Sequence, residues 1–419
     1  MPRKRKSGSR KTLLFIDPIE ESSYPVTETG YALLYRAWAR AQDDDGQVFA
    51  VYPNTTLRTM VSGKQQIDQS NITVEAHLIE NFWASPYSHF RAQRDAYCAN
   101  SDVGSKPCHR ESGPYEIALR DADIIVYRQE SGTWPQRRRL LRALAAVESE
   151  VLVYLSPQLA LDPKSSSKVL PSTIAPDSVP RSFSTAEVEG GAELKIEQAL
   201  SFVRTELGTP DTFIAKPLRG DNGIGITALG HNPLHSEQYT DPRGGLSTLL
   251  STYGDLIVQE YVPSVRVPPD IPDNELSKVA PERCDFGEIR FILVDGTIPR
   301  TREGGLIQVA RRTPTATSLI ADSGISYATS LSEIERSFLQ SVGREYMRRG
   351  IYFGGGDLIR TPDVDRPFVF TDAARSVCGH AVVTGALNGE PYLIVDQVLN
   401  SIERHWIRQQ ASEIALAVA

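Results

Sequence analysis

The segment Ile214-Ala-Lys-Pro-Leu-Arg-Gly-Asp-Asn-Gly-Ile-Gly-Ile226 sets a lysine at the end of an apolar run, followed by glycines at 220, 223 and 225. That combination suits phosphate handling. The Lys216 ammonium supplies a point charge, and glycines let backbone N–H groups close around phosphate oxygens. The spacing is neither a P-loop, which needs Gly-Lys-Ser/Thr, nor a dinucleotide fingerprint after the first strand. A glycine loop after a strand is, by itself, as often a simple turn as a site. Its place in mid-chain, ahead of the strand-forming run Leu256-Ile-Val-Gln-Glu-Tyr-Val262, favours the phosphate reading. The four cysteines add little: Cys98 and Cys108 precede His109 in a polar segment, and Cys284 and Cys378 are isolated. A zinc site normally shows tighter pairing, so free thiols in a reducing cytosol are the better reading.

The elements that must position this chemistry alternate along the chain. Thr12–Ile16, Val48–Tyr52, Asp123–Tyr127 and Val151–Leu155 read as strands, with helical spacing over Tyr31–Trp38 and Arg137–Glu148. Alternation of that kind predicts a parallel, doubly wound sheet over residues 12–155. Residues 81–115 hold few periodic apolar positions and read as a long irregular insertion. Composition then shifts to Ser, Pro, Gly and Ala over 162–192. Beyond it, Glu193–Thr205 and Ser332–Arg349 read as helices, and Ile289–Val294 as a strand ending in the Asp295-Gly296 hairpin signal. Ile351–Ile359 and Phe368–Thr371 read as strands flanking a loop, and Glu390–Ala419 as partly helical.

Length and charge bound the possibilities. A chain of 419 residues is too long for one core, so two or three domains are expected. No apolar run approaches the roughly 18 residues that span a bilayer. The basic start, Met1–Lys11, lacks a secretory apolar stretch and reads as a solvated tail, with nuclear targeting or nucleic-acid binding as its alternative. Removing its six positive charges takes the formal charge from −7 to about −13, an acidic body poorly suited to nucleic acid.

Lys216-Pro-Leu-Arg-Gly-Asp-Asn-Gly-Ile-Gly225 resembles the flexible glycine loop of bacterial glutathione synthetases, members of the ATP-grasp superfamily. Gln259-Glu-Tyr-Val-Pro263 is similar to the strand that holds adenine by its backbone in such enzymes. Glu288-Ile-Arg290 with Val294-Asp-Gly296, then Gly350–Ile359, are similar to the acidic-x-Arg strand and hairpin and to the strand carrying a metal-binding aspartate. Phe15-Ile-Asp-Pro-Ile19 resembles the opening strand and turn. The motifs are short, and their shared order from about residue 13 to residue 380 is the specific part.

The resemblance implies an α/β chain of ATP-grasp fold with an N-terminal Rossmann-like domain. Its divisions would be a disordered tail at 1–12, a substrate domain at 13–156, a lid at 157–258 and a catalytic subdomain at 259–419. It implies a cytoplasmic carboxylate–amine ligase that uses ATP and Mg²⁺ (or Mn²⁺) on a small-molecule acid and amine, with no nucleic-acid or membrane partner. A homo-oligomer is compatible with it. Lys216 and Lys168 would hold ATP phosphates, with Lys164 competing for the place of Lys168. Gly220, Gly223, Gly225, Gln259, Glu260, Tyr261, Val262 and Glu288 would line the nucleotide. Arg290 would stabilise phosphate charge in transfer, and Asp357 and Asp372 would bind metal.

The chain also departs from the family. Aligning on Ala373–Cys378 puts Asp372 at the family's Asn place and Phe370 at its Glu place, where phenylalanine cannot ligate a metal. Either Asp372 supplies what that Glu otherwise would, or the site holds fewer metals. Arg302–Arg312 replaces a glycine-rich segment, and Ala374-Arg375-Ser376 replaces Ser-Pro-Thr. Arg375 would either pair with a substrate carboxylate or brace Asp372. These changes leave glutathione as one candidate product beside that of a specialised amino-acid or peptide ligase. A degenerate nucleotide-binding protein and an unrelated phosphate-binding α/β protein are the rivals from other classes.

Overall fold

The computed structural model describes residues 11–16, 33–34, 36–41, 46–51, 58–59, 72–79, 111–127, 134–154, 156–157, 161, 169–218, 225–232, 237–267, 285–304, 309–313, 325–328, 331–374, 385, 390 and 392–418. The chain divides into two compact units. The first comprises residues 1–161, 346–353 and 376–419; the second comprises 162–345 and 354–375. Among the described residues no helix is long and apolar enough to cross a membrane.

In the first unit β1 (Thr12–Ile16), β2 (Gln47–Val51), β3 (Arg58–Thr59), β4 (Ile72–Ile79), β5 (Glu111–Ala118), β6 (Ile124–Tyr127) and β7 (Leu152–Tyr154) form one sheet in the order β3-β4-β2-β1-β6-β7, with β5 beside β4. The stretch β2-β1-β6-β7 is parallel, as the alternating pattern predicts. The sheet is not parallel throughout, because β4 runs antiparallel to β2, β3 and β5. The expected irregular insertion over 81–115 is also corrected at its end, since β5 begins at Glu111. Gly113-Pro114 breaks any alternation there, so this strand is set by its ladder to β4 and not by local pattern. Helix α1 (Trp134–Val147) joins β6 to β7.

The second unit holds two sheets. Short helix α2 (Leu170–Ile174) leads into the first, which orders β11 (Tyr239–Thr240), β10 (Thr227–His231), β9 (Thr212–Pro217), β12 (Leu256–Glu260) and β8 (Ser182–Ser184). One face is apolar: Phe213, Ala215, Leu256 and Val258 pack on Ile196, Ala199 and Val203 of α3 (Ala192–Thr205) and on Leu246 and Leu249 of α4 (Pro242–Tyr253). Strand alternation then turns Ile214, Lys216, Ile257 and Gln259 to the other face.

The other sheet orders β16 (Ile325–Ala328), β15 (Val309–Thr313), β14 (Asp285–Val294), β17 (Phe353–Arg360) and β18 (Phe368–Ala374), with β13 (Arg266–Val267) on β14. The predicted turn after β14 is present, with φ of 48° at Asp295 and 70° at Gly296. Two positive φ values in succession match the twist of a tight hairpin. Behind the sheet lies α5 (Glu333–Arg348). Its start is a capping box: Ser332 Oγ accepts from the Glu335 N–H at 3.2 Å, and Glu335 Oε2 accepts from the Ser332 N–H at 2.8 Å. Phe338 of this helix packs edge-on against Phe370, whose ring is fully buried beside Phe291. A Cβ at Gly356 would sit 2.6 Å from the Phe370 ring and 2.8 Å from that of Phe291, so the glycine run of β17 makes room for aromatic packing. Helix α6 (Leu393–Val418) returns to the first unit, where Ser401 Oγ accepts from the Tyr154 hydroxyl at 3.1 Å and Asp396 takes both arms of Arg36.

The α5 cap is tied to β17 by Arg360, which donates to Glu335 at 2.7 and 3.1 Å. Burial pushes the Glu335 carboxyl up, but the Arg360 bonds and charge and the Ser332 bonds outweigh it and hold the group below its ordinary 4.5. A lowered carboxyl pKa stabilises the fold above about pH 4.5, and that contribution is lost as pH falls through the folded value. Glu335→Gln keeps a capping side chain and removes the ion pair. It is expected to lower stability by about 2 kcal/mol at neutral pH, measured by urea denaturation. The gap from wild type should shrink below pH 4.5; a gap independent of pH would contradict the assignment.

Candidate active site

Strand β14 presents Glu288 and Arg290 on one face, two residues apart. Asp357 of the neighbouring β17 meets Arg290 there. The Arg290 Nε and Nη2 donate to the two Asp357 oxygens at 2.7 Å each, a bidentate pair. Glu288 Oε1 lies 3.7 Å from Arg290 Nη2, and Glu288 is 3% exposed. Across the ladder, Asp372 of β18 is the Cα partner of Asp357. Burial pulls the Arg290 guanidinium down. The charge of Asp357, then that of Glu288, the Asp357 hydrogen bonds and the charge of Asp372 together reverse this, so its pKa is raised and it stays cationic.

The register explains Phe370. Asp357 pairs with Asp372, yet Leu358 pairs with Phe370, so Thr371 is the extra residue of a β-bulge. In a regular strand residues 370 and 372 would share a face, which is how alignment puts Phe370 at a ligand position. The bulge reverses the phase, and Phe370 shares the core face with Leu358. Phe370 is therefore corrected from a lost metal ligand to a core residue. Its ring fills the space beneath Gly356.

Lys216 arrives from β9 of the other sheet. It is 5% exposed, and its Nζ donates to the carbonyl of Thr371, the bulge residue next to Asp372, at 3.5 Å. The structure thus brings together Lys216, Glu288, Arg290, Asp357 and Asp372. On the same face of the lysine's sheet, Ile257 is the Cα partner of Lys216, and Gln259 that of Ile214. Buried Ile214 and Ile257 form an apolar floor beside a lysine, a place suited to a flat aromatic base. Sequence reasoning missed those two isoleucines and Thr371. Alternation outward from Lys216 would have found the former; nothing local marks the latter.

The other expected residues fall as follows. β12 ends at Glu260, whose carboxylate is taken by Arg181 and Arg366. Tyr261 is half-buried, and Val262 packs on Ile359 and Val369. Gly225 has φ of 76° and sits against Pro217 and Tyr253. Lys164, Lys168, Gly220, Gly223, Arg375 and the Cys98, Cys108 and His109 segment lie outside the described residues.

Among the described residues, no group of three or more His, Cys, Asp or Glu side chains forms a ready metal cage. The donors at this face are nonetheless hard carboxylate oxygens beside two cations. That set suits Mg²⁺, which usually takes one or two carboxylates and completes its shell with phosphate oxygens and water. Asp357 and Asp372 fit as those carboxylates.

No protein-family model matches the sequence, and no curated protein matches it. Solved structures do. A D-alanine-D-alanine ligase from Coxiella burnetii is 11% identical with a TM-score of 0.53, over 97% of this chain and 98% of that one. The VanG D-Ala:D-Ser ligase from Enterococcus faecalis is 11% identical with a TM-score of 0.52, over 94% and 100%. The D-cycloserine synthetase DcsG is 12% identical with a TM-score of 0.50, over 94% and 99%. The chain has the α/β ATP-grasp fold.

The Arg290–Asp357 pair gives the site its own test. Asp357→Asn leaves a half-buried guanidinium facing a neutral amide, which should cost about 2 kcal/mol of stability in urea denaturation. A folded variant as stable as wild type would show that the pair does not stabilise the sheet.

Proposed function

We propose that this chain is an ATP-dependent ligase that activates a carboxylate as its acylphosphate and joins it to an amine. The observation that carries this is the convergence of Lys216, Glu288, Arg290, Asp357 and Asp372 from two sheets of an ATP-grasp fold. Lys216 and Arg290 hold transferring phosphate oxygens from two sides, and the raised pKa of Arg290 keeps its charge in place. Ile214, Ile257 and the backbone over Gln259–Val262 hold the base, and the glycines at 220, 223 and 225 are the residue type that lets backbone N–H groups meet phosphate oxygens. Asp357 and Asp372 would hold Mg²⁺, which would supply charge neutralisation at the phosphate oxygens.

In the reaction, a substrate carboxylate oxygen bonds to the γ-phosphorus as the bond to the β–γ bridging oxygen breaks. The amine nitrogen then attacks the acyl carbon, loses a proton and expels phosphate. Shielding by the lid protects the acylphosphate from water. The further positive charge of Arg302, Arg311, Arg312 and Arg375 suits an acid or amine with an additional anionic group. We favour an amino-acid or short-peptide ligase over a glutathione synthetase. The changes at 302–312 and 374–376 support this, and the amino-acid ligases among the similar structures agree with it. With Phe370 on the core face, its inability to ligate a metal lends no support to a degenerate, non-catalytic protein.

The test supplies ATP and Mg²⁺ with a panel of acidic amino acids, short peptides and amines, and follows ADP release and product mass. At least one pair should give an amide of the expected mass. Lys216→Ala should reduce kcat/KM for ATP by about a hundredfold while remaining folded. γ-Glutamylcysteine with glycine should rank below the best pair. Top rank for that pair would make the enzyme a glutathione synthetase, and full activity of folded Lys216→Ala would remove the site.

A further inference from the structure

Among the described residues, polar contacts at two places join the sheet that carries Lys216 to the β17–β18 hairpin that carries Asp357 and Asp372. One is the Lys216 bond to Thr371, inside the site. The other lies at the turn of the hairpin. Arg366, in the connection between β17 and β18, donates from Nη1 to Glu260 Oε2 at 3.1 Å. Its Nη2 donates to the carbonyl of Val179, just ahead of β8. Both partners belong to the Lys216 sheet or its edge, so one planar guanidinium is held in two directions. Arg366 is anchored in turn, since its own carbonyl accepts from the Thr361 hydroxyl.

Glu260 is well placed for this. It is the last residue of β12, and β12 pairs with β9 so that Ile257 faces Lys216. Residues 261–265 then carry the chain into the other sheet, where the Val265 N–H donates to the Arg360 carbonyl at 2.7 Å. The Glu260 carboxylate therefore sits where one sheet hands over to the next. Exposed ion pairs contribute little, but this carboxylate is 21% exposed and shared by two guanidiniums. Burial pushes its pKa up, and the bonds from Arg181 and Arg366 bring it below the ordinary value.

We infer that Arg366 is a positioning residue: by bonding Glu260 and Val179 it fixes the lysine-bearing sheet against the aspartate hairpin, and so sets the span across which the phosphates are held. The consequence for catalysis rests on the ligase reading; the mechanical part does not. Arg181 provides the internal contrast. It also bonds Glu260, but its other partner is the Glu206 carbonyl, so it braces the one sheet and its helix without crossing to the hairpin.

The test places nitroxide spin labels on the full chain at Tyr239→Cys and Ile334→Cys, which are 60% and 64% exposed, with the native cysteines replaced by serine. These sites report the first sheet and the helix behind the second. Electron–electron double resonance should give a narrow distance distribution in the otherwise native chain and in Arg181→Ala. It should give a clearly broader one in Arg366→Ala. If Arg366→Ala does not fold, Arg366→Lys, which keeps the charge but lacks the forked donor, carries the same comparison. In the ligase assay the Arg366 variant should raise KM for ATP about tenfold and change kcat by less than about twofold. An unchanged distribution in a folded Arg366 variant, or equal broadening in Arg181→Ala, would overturn the inference. If no ATP-dependent product is found with wild type, the ligase reading fails while the distance comparison still decides the role of Arg366.

Discussion

The half-buried, two-pronged pair of Arg290 and Asp357 is the contact on which the sheet built on β14 and β17 depends. Taking most of both groups out of water is costly, and close, two-pronged geometry offsets it. That geometry, 2.7 Å on both arms, demands that β14 and β17 be neighbours with these two residues on one face. The opposite face must then close without voids. Phe291, Phe370 and Phe338 close it, over a glycine that leaves room for two rings. The capping box of α5 and the Arg360–Glu335 pair hold that helix in register behind the same strand. Polar site and aromatic core are thus two faces of one constraint.

The bulge at Thr371 shows how function and packing share a strand. It lets β18 present Asp372 beside Asp357 while sending Phe370, two residues earlier, into the core. It also turns the Thr371 carbonyl toward Lys216. A regular strand would force the hairpin to choose between a ligand face and a packed face at those positions. Bulges are common next to active sites for this reason.

Much of this was legible in the sequence. Strands β1, β9 and β12 are largely apolar runs bounded by glycine, proline or aspartate, and Asp295-Gly296 announces its own turn. Lys216 could be chosen because an ammonium beside glycines has a chemical use wherever the fold puts it. β4 carries a clean alternation, with Ile72, Val74 and Ala76 buried, but its antiparallel place follows from partners far along the chain. Alignment on Ala373–Cys378 sets Phe370 at a ligand place, and the ladder sends it to the core, because a bulge is a property of the ladder and not of one strand. The return of α6 to the first unit and the contacts of Arg181 and Arg366 are likewise long-range facts without a local signature.

The central claim is that the face shared by Asp357 and Asp372 holds a divalent ion together with nucleotide phosphates. Titration of Mn²⁺ into the full chain with a non-hydrolysable ATP analogue, followed through the electron paramagnetic resonance of free Mn²⁺, tests it most directly. Wild type should take up Mn²⁺ far more tightly with the analogue than without it. Asp372→Asn should weaken that uptake by at least about tenfold with the fold intact. Uptake that ignores the nucleotide, or a folded Asp372→Asn variant that binds as tightly as wild type, would contradict the claim.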